Sequence, residues 1–147
     1  MNQLAALNAI DKEMSEAGKK FQDTDGTRDA RILVAEDEDA NYTYIEKLLS
    51  RAGFSLIRAN NGYEAVEYAR SNDDISLVLM DMKMPVMNGM EATKEIKMIK
   101  PSLPIIATTA FAISGDRETF LDAGCDDYLP KPLRAETLIG LIRNYMQ

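Results

Sequence analysis

The fold of this 147-residue chain is decided by residues 75–89, which read I-S-L-V-L-M-D-M-K-M-P-V-M-N-G. The run before Asp81 is too short for an independent helix, is rich in branched apolar side chains, and is closed by Pro85 and Gly89. This pattern is typical of a parallel strand that is buried on both faces. Asp81 would then lie where open α/β sheets bind their ligands, at the carboxyl end of a central strand. Asp81 is therefore the first functional candidate, and the competing interpretation is an Asp that only caps the next helix.

Strand and helix signals alternate on both sides of this stretch. Asn61 with Glu64, and Asn88 with Glu91, have the spacing of a helix N-cap and the third residue of its helix. Five successive strand–helix units predict an α/β open sheet with helices on both faces. The predicted strands are residues 32–35, 54–59, 75–80, 104–109 and 127–130, and the predicted helices are residues 39–52, 61–70, 88–100, 115–124 and 134–146.

The first 30 residues precede the predicted domain, which is expected to span residues 31–147. Residues 1–21 carry a sparse apolar stripe at roughly helical spacing, which predicts a weak amphipathic helix or a frayed tail. Residues 22–30 are polar, include a glycine and have nothing to bury, so they are interpreted as a linker. The first segment would be a tail, a connector from an upstream domain or a self-association helix. The last alternative would allow a weak homodimer.

The composition excludes several classes of function. The formal net charge is −7 and the chain contains no histidine. Nucleic acid is therefore not an expected partner, and acid–base catalysis, zinc binding or phosphorylation at a histidine of this chain is ruled out. The single cysteine, Cys125, forms no internal disulfide, and the sequence has no signal peptide and no apolar run long enough for a membrane span. The expected location is the cytoplasm, without direct membrane contact.

Polar and charged side chains follow four of the five predicted strands. If the strands are parallel, their carboxyl ends bring together Glu36, Asp37, Asp81, Thr108, Thr109 and Lys131. Three crowded carboxylates repel one another, and a hard divalent ion such as Mg²⁺ relieves this repulsion and keeps a position open for a phosphate oxygen. The set predicts transfer of a phosphoryl group onto Asp81. Each residue alone has an ordinary interpretation, as an acidic helix start, a β-branched strand residue or a loop lysine.

From Arg31 onward the chain resembles the receiver domain of bacterial response regulators, which has a flavodoxin-like fold. The resemblance rests on V-A-E-D, A-N-N-G-Y-E-A, D-M-K-M-P-V-M-N-G, P-I-I-A-T-T-A and D-Y-L-P-K-P, which occur in the family order and spacing. It implies five parallel strands in the order 2-1-3-4-5 and a cis peptide between Lys131 and Pro132.

The resemblance also implies a role for each site residue. Asp81 would be the phosphoacceptor, and Thr109 and Lys131 would contact the phosphoryl group. The Mg²⁺ ligands would be Asp37, Asp81 and the backbone carbonyl of Lys83, with Glu36 acting mainly through water. Tyr128 would be the aromatic switch that turns inward as Thr109 moves toward the phosphate. Lys83 and Phe111 would lie at the rim of the site and set the lifetime of the phosphorylated state.

The partner implied by the resemblance is a histidine kinase or a histidine phosphotransfer domain. The Glu36–Asp37 pair and the following E-D-A-N resemble receivers attached to hybrid histidine kinases, and a free-standing response regulator is the alternative. Such a module catalyses its own phosphorylation and dephosphorylation but acts mainly in signalling. An aspartyl-phosphate phosphatase of the haloacid dehalogenase type is a remote alternative, because it needs a second Asp where this chain has Lys83. An inert receiver-like scaffold or a nucleotide binder is disfavoured, because Asp37, Asp81, Thr109 and Lys131 are all present and no glycine-rich loop follows the first strand.

Overall fold

The computed structural model describes residues 30–110 and 116–146, and five strands lie within them. They are β1 (Arg31–Ala35), β2 (Ser55–Ala59), β3 (Ile75–Asp81), β4 (Ile105–Thr109) and β5 (Asp127–Pro130). The strands are parallel and form one sheet in the order β2-β1-β3-β4-β5. The predicted strand order is confirmed, and β3 is the central strand.

A helix follows each strand. The helices are α1 (Asp39–Arg51), α2 (Gly62–Ser71), α3 (Gly89–Ile99), α4 (Asp116–Asp122) and α5 (Ala135–Met146). The two predicted N-caps are present, since the Asn61 side chain accepts the backbone N–H of Glu64 at 2.8 Å and that of Asn88 accepts the N–H of Glu91 at 2.9 Å. These bonds satisfy amide groups that a helix leaves without an internal partner.

The sheet separates two hydrophobic clusters, because successive residues of a strand point to opposite faces. One cluster packs α1 and α5 against the sheet and includes Ile32 and Val34 of β1. The other packs α2, α3 and α4 against the opposite face and includes Leu33 and Ala35. Helices therefore cover both faces, as predicted, and each fully buried Leu or Ile contributes about 1.5–3 kcal/mol to folding.

The chain turns sharply after β3. The backbone N–H of Met87 donates to the carbonyl of Pro85 at 2.8 Å, and Val86 between them has a φ of 69°. This is a γ-turn of the strained kind, and a β-branched residue seldom adopts it. The Val86 side chain is 84% exposed. The turn brings the chain back to Gly89, whose N–H donates to the carbonyl of Met82 at 3.3 Å and begins α3.

Three predicted features lie outside the described residues: the helix or tail at residues 1–21, nearly all of the linker, and Phe111. The predicted start of the fourth helix at Gly115 also lies outside them, and α4 is described from Asp116. Within the described part of the chain, no helix combines the length and the apolar character that a membrane span requires.

Candidate functional site

The acidic residues that follow two neighbouring strands meet at the carboxyl edge of the sheet. Glu36 and Asp37 follow β1, Asp81 ends β3, and these strands are paired. One carboxylate oxygen from each of the three residues lies within 4.8 Å of the others. Glu36 is 1% exposed and Asp81 is 6% exposed, whereas Asp37 is open to solvent. The predicted acidic cluster is therefore formed, with two buried members and one accessible member.

Lys131 places its ammonium group between the two buried carboxylates. Its Nζ lies 2.8 Å from Glu36 Oε1 and 3.2 Å from Asp81 Oδ2. Burial lowers the pKa of Lys131, but the hydrogen bond to Glu36 and the charges of Asp81 and Glu36 outweigh it, and the pKa is raised above its usual value. Lys131 is therefore charged at neutral pH. Its peptide bond to Pro132 is cis, as predicted, and its backbone N–H donates to the carbonyl of Thr109 at 2.7 Å.

The cluster fits a hard divalent cation. Its three carboxylates and one ammonium leave two negative charges, and all of the candidate ligand atoms are oxygens. Mg²⁺ prefers such ligands and retains several waters, and the solvent-exposed Asp37 leaves room for them. Asp81 is held in place because its Oδ1 accepts the backbone N–H of Lys83 at 3.1 Å while its Oδ2 contacts Lys131. The Lys83 side chain itself is exposed.

The threonines at the end of β4 lie at the same edge of the sheet. Thr108 is the register partner of Asp81, and the N–H of Met82 donates to its carbonyl at 3.0 Å. Thr109 is the last residue of the strand, and both threonines are buried. Because β4 pairs with β5, Thr109 and Lys131 lie on the same side of the acidic cluster.

Tyr128 lies in β5 and is half-buried on the α4 side of the sheet. Its ring centroid is 5.7 Å from that of Phe120 in α4, with the planes at 40°. Such a tilted pair is favourable beyond the area that it buries. The predicted switch residue is therefore packed against the helix that follows β4.

Arg58 is a residue of this region that the sequence interpretation missed. It lies near the end of β2, and its Nε donates to the backbone carbonyl of Glu36 at 3.1 Å. Its Nη1 lies 2.9 Å from Asp39 Oδ1, and its Cζ lies 4.7 Å from the centroid of the Tyr42 ring. The available signal was a single arginine after two apolar residues of a half-buried strand.

The sequence comparisons agree with this fold and site. The family described as "Response regulator receiver domain" matches residues 32–143. The hybrid signal transduction histidine kinase I of Dictyostelium discoideum is 38% identical over 120 residues, which are 76% of this chain and 7% of that protein. The polar-differentiation response regulator DivK of Brucella anthropi is 35% identical over 117 residues, which are 78% of this chain and 94% of that protein. The chain thus spans nearly all of DivK and a small part of the hybrid kinase.

Solved structures give the same result. The receiver domain of the sensor histidine kinase PA1611 of Pseudomonas aeruginosa, with a magnesium ion coordinated in its active site cleft, has 37% identity and a TM-score of 0.74 over 80% of this chain and 97% of that chain. A chain from the complex of the phosphotransfer protein Ypd1 with the receiver domain of Ssk1, from Saccharomyces cerevisiae, has 29% identity and a TM-score of 0.74 over 80% of this chain and 88% of that chain.

The fold and the acidic edge define a five-stranded parallel α/β protein with a candidate metal site. The family match extends over most of its length. The chain belongs to the response regulator receiver domain family, and it is a receiver module of two-component signalling.

Proposed function

We propose that Asp81 accepts a phosphoryl group from the phosphohistidine of a histidine kinase or a histidine phosphotransfer domain. The observation that carries the proposal is the buried Asp81 carboxylate, which shares one cluster with Glu36, Asp37 and the ammonium of Lys131. The complex that contains Ypd1 and the Ssk1 receiver supports a phosphotransfer protein as the class of partner. No nucleic acid and no direct membrane contact is needed for this chemistry.

The transfer places a carboxylate oxygen of Asp81 in line with the phosphorus–nitrogen bond of the donor. The new oxygen–phosphorus bond forms as the phosphorus–nitrogen bond breaks, and the imidazole leaves with its electron pair and takes a proton from solvent. Lys131 and the hydroxyl of Thr109 hold the phosphoryl oxygens as charge develops on them. A bound Mg²⁺, held by Asp37, Asp81 and the carbonyl of Lys83 and through water by Glu36, would neutralise part of this charge.

Phosphorylation then changes the surface on one side of the sheet. Thr109 moves toward the phosphoryl group, and the Tyr128 ring turns into the space that this movement leaves. The contact between Tyr128 and Phe120 transmits the change to α4. The altered surface would bind or release the downstream partner.

The lifetime of the phosphorylated state depends on access of water to the acyl phosphate. We assign this control to Lys83 and Phe111. Lys83 is the second residue after β3, and its exposed side chain would hold a phosphoryl oxygen without acting as a base at neutral pH. Phe111 has no group to orient a water and has the bulk to exclude one. We therefore expect slow spontaneous loss of phosphate.

In this proposal the receiver domain occupies residues 31–147, residues 1–21 are a weak amphipathic helix or a tail, and residues 22–30 are a linker. The similarity to the receivers of two sensor kinases supports an origin in a hybrid kinase, and the similarity to DivK supports a free-standing regulator. Either protein would act in the cytoplasm, where its phosphodonor partner carries the phosphohistidine.

Mass spectrometry tests the phosphoacceptor. The native chain is treated with Mg²⁺ and a small acyl phosphate, and we expect it to gain the mass of one phosphoryl group. The Asp81→Asn variant should gain none, whereas Asp74→Asn, which removes an exposed carboxylate at the opposite edge of the sheet, should react like the native chain. Phosphorylation of Asp81→Asn to the native extent would overturn the proposal.

A further inference from the structure

The guanidinium group of Arg58 joins three parts of the chain that surround the acidic residues of the β1–α1 loop. Its Nε donates to the carbonyl of Glu36, its Nη1 contacts the carboxylate of Asp39, and its Cζ lies over the ring of Tyr42. Asp37 lies between the first two contacts in sequence. The loop that presents Asp37 is therefore held on both sides by one planar guanidinium group.

The guanidinium is itself held in place. Its Nη2 is buried and has no hydrogen-bond partner among the described residues, and its Cζ lies over the Tyr42 ring, 4.7 Å from the ring centroid. The strand below is fixed by its pairing with β1, in which Arg58 is the register partner of Val34. An arginine presents its donors in a fixed planar fork, so the spacing between the Glu36 carbonyl and the Asp39 carboxylate is set by covalent geometry.

The charge of Arg58 argues against a simple electrostatic role in metal binding. A cation beside a cluster of carboxylates repels a second cation by Coulomb's law. If charge alone mattered, loss of Arg58 would tighten the binding of Mg²⁺. Any loss of affinity on removing Arg58 therefore reports its effect on the position of the ligands.

We propose that Arg58 is a positioning residue that orients the Glu36–Asp37 loop for metal binding. The inference rests on the proposed function, because it assumes that Glu36 and Asp37 bind the ion with Asp81. Groups that orient metal ligands without contacting the ion commonly change metal affinity by about 10- to 100-fold when they are removed. Arg58 acts in this way through one backbone carbonyl and the first turn of α1.

Arg31 provides a matched control. It also lies at the end of a strand and makes a bidentate contact with a carboxylate, since its Nε and Nη2 lie 2.7 Å and 3.0 Å from the Asp74 oxygens. It is the first residue of β1 and therefore lies at the amino ends of the strands, whereas the acidic cluster lies at their carboxyl ends. Arg31→Met removes a comparable ion pair and the same charge, and it leaves the β1–α1 loop intact.

The experiment measures Mg²⁺ binding by isothermal titration calorimetry for the native chain, Arg58→Met, Arg58→Lys and Arg31→Met. Urea unfolding without Mg²⁺ gives the stability of each protein, and titrations are made where every variant is folded. We expect Arg58→Met and Arg58→Lys to weaken Mg²⁺ binding about tenfold. Arg31→Met should lose stability and bind Mg²⁺ like the native chain.

Three outcomes would overturn the inference. Arg58→Met that is folded and binds Mg²⁺ as tightly as the native chain, or more tightly, would show that charge or stability is its only contribution. Native affinity in Arg58→Lys would assign the role to any cation and not to the guanidinium fork. Weakened binding in Arg31→Met would show that affinity follows global stability. A native chain that binds no Mg²⁺ would refute the metal site itself, which separates failure of the proposed function from failure of the role of Arg58.

Discussion

Lys131 and Glu36, 95 positions apart in sequence, form an ion pair of 2.8 Å at the edge of the sheet. The Glu36 side chain is 1% exposed and that of Lys131 is 17% exposed, so neither charge is well solvated. A buried charge that loses its partner costs about 3–5 kcal/mol, although a complete buried pair can be close to neutral. The buried carboxylates therefore need a neighbouring cation, which is either the Lys131 ammonium group or a bound metal ion.

Replacing Lys131 should make the fold more dependent on metal. Without Mg²⁺, we expect Lys131→Met to lower the free energy of unfolding by about 3 kcal/mol, because the buried carboxylates of Glu36 and Asp81 lose the ammonium group that contacts both of them. Mg²⁺ should then stabilise this variant more than the native chain. Urea unfolding in chelator and in Mg²⁺ measures both effects.

Lys97→Met is the control for this experiment. Lys97 is 18% exposed and lies 2.7 Å from Asp126, but it belongs to a network far from the acidic cluster, in which it also binds the carbonyl of Leu103. Its loss should lower stability and leave the response to Mg²⁺ unchanged. If Mg²⁺ stabilised Lys131→Met no more than the native chain, a metal ion would not replace the Lys131 ammonium group, and the prediction would be wrong.

Asp81→Asn should reduce the stabilisation by Mg²⁺, because it removes one ligand and one of the charges that the ion offsets. An ion that binds only the native state stabilises it by about 2.7 kcal/mol at a hundredfold excess over its Kd. Thermal melts of the native and variant chains with and without Mg²⁺ measure the difference. Equal shifts in melting temperature would remove Asp81 from the coordination sphere.

Phe111→Ala should shorten the life of the phosphorylated state, because the smaller side chain opens a path for water. We expect phosphate loss to be about tenfold faster, which corresponds to about 1.4 kcal/mol of barrier. Both proteins are phosphorylated, the donor is removed, and the decay is followed in Mg²⁺. An unchanged or slower decay in a folded variant would refute the role of Phe111, and a loss of stability alone would show that it only packs on a neighbouring helix.

Two glycines should respond to alanine in opposite ways. A Cβ at Gly89 would lie 2.3 Å from the backbone oxygen of Asp81, whereas a Cβ at Gly140 would have no atom outside its own helix backbone within 4 Å. Gly89→Ala should therefore destabilise the fold by about 1–3 kcal/mol and slow phosphorylation by displacing Asp81. Gly140→Ala should stabilise it by about 1 kcal/mol, because alanine is the better helix former. Denaturant unfolding that gave the same sign for both would contradict these contacts.

The stability of the fold should fall at alkaline pH in part because of Cys125. Burial raises the pKa of this thiol, and the hydrogen bond with Thr93 lowers it by less. The folded chain therefore favours the protonated form. The pKa of the thiol in the folded chain lies above the unfolded value of about 8.5. The protonated thiol therefore contributes fully to the free energy of unfolding below that pH, and this contribution is lost as pH rises through the folded pKa. Urea midpoints between pH 7 and pH 10 should fall less steeply for Cys125→Ala. Identical slopes would show that the thiol does not contribute.

The sequence predicted the parts of this protein that follow from periodicity and chain direction. Alternating strands and helices gave the parallel sheet, and parallel strands necessarily bring residues such as Asp37, Asp81 and Lys131 to one edge. The N-caps at Asn61 and Asn88 were predictable because a cap is a local interaction between residues three positions apart.

Other features depend on contacts that no local pattern contains. The role of Arg58 arises from a backbone carbonyl, a carboxylate and an aromatic ring on another element, and sequence spacing does not relate them. Burial of Glu36 beside an exposed Asp37 is set by the direction in which the chain leaves β1. The γ-turn at Val86 opposes the intrinsic preference of a β-branched residue, so propensity alone predicts another conformation.

The sheet divides the molecule into a half that would change on phosphorylation and a half that would stay constant. Tyr128 and Phe120 belong to the hydrophobic cluster under α2, α3 and α4, whereas α1 and α5 pack in the separate cluster on the other face. Rearrangement of the Tyr128 ring would therefore leave the hydrophobic cluster under α1 and α5 intact. A protein bound to the constant half could remain attached while the other half exchanges one partner for another, so that delivery and readout of the signal would not compete for the same surface.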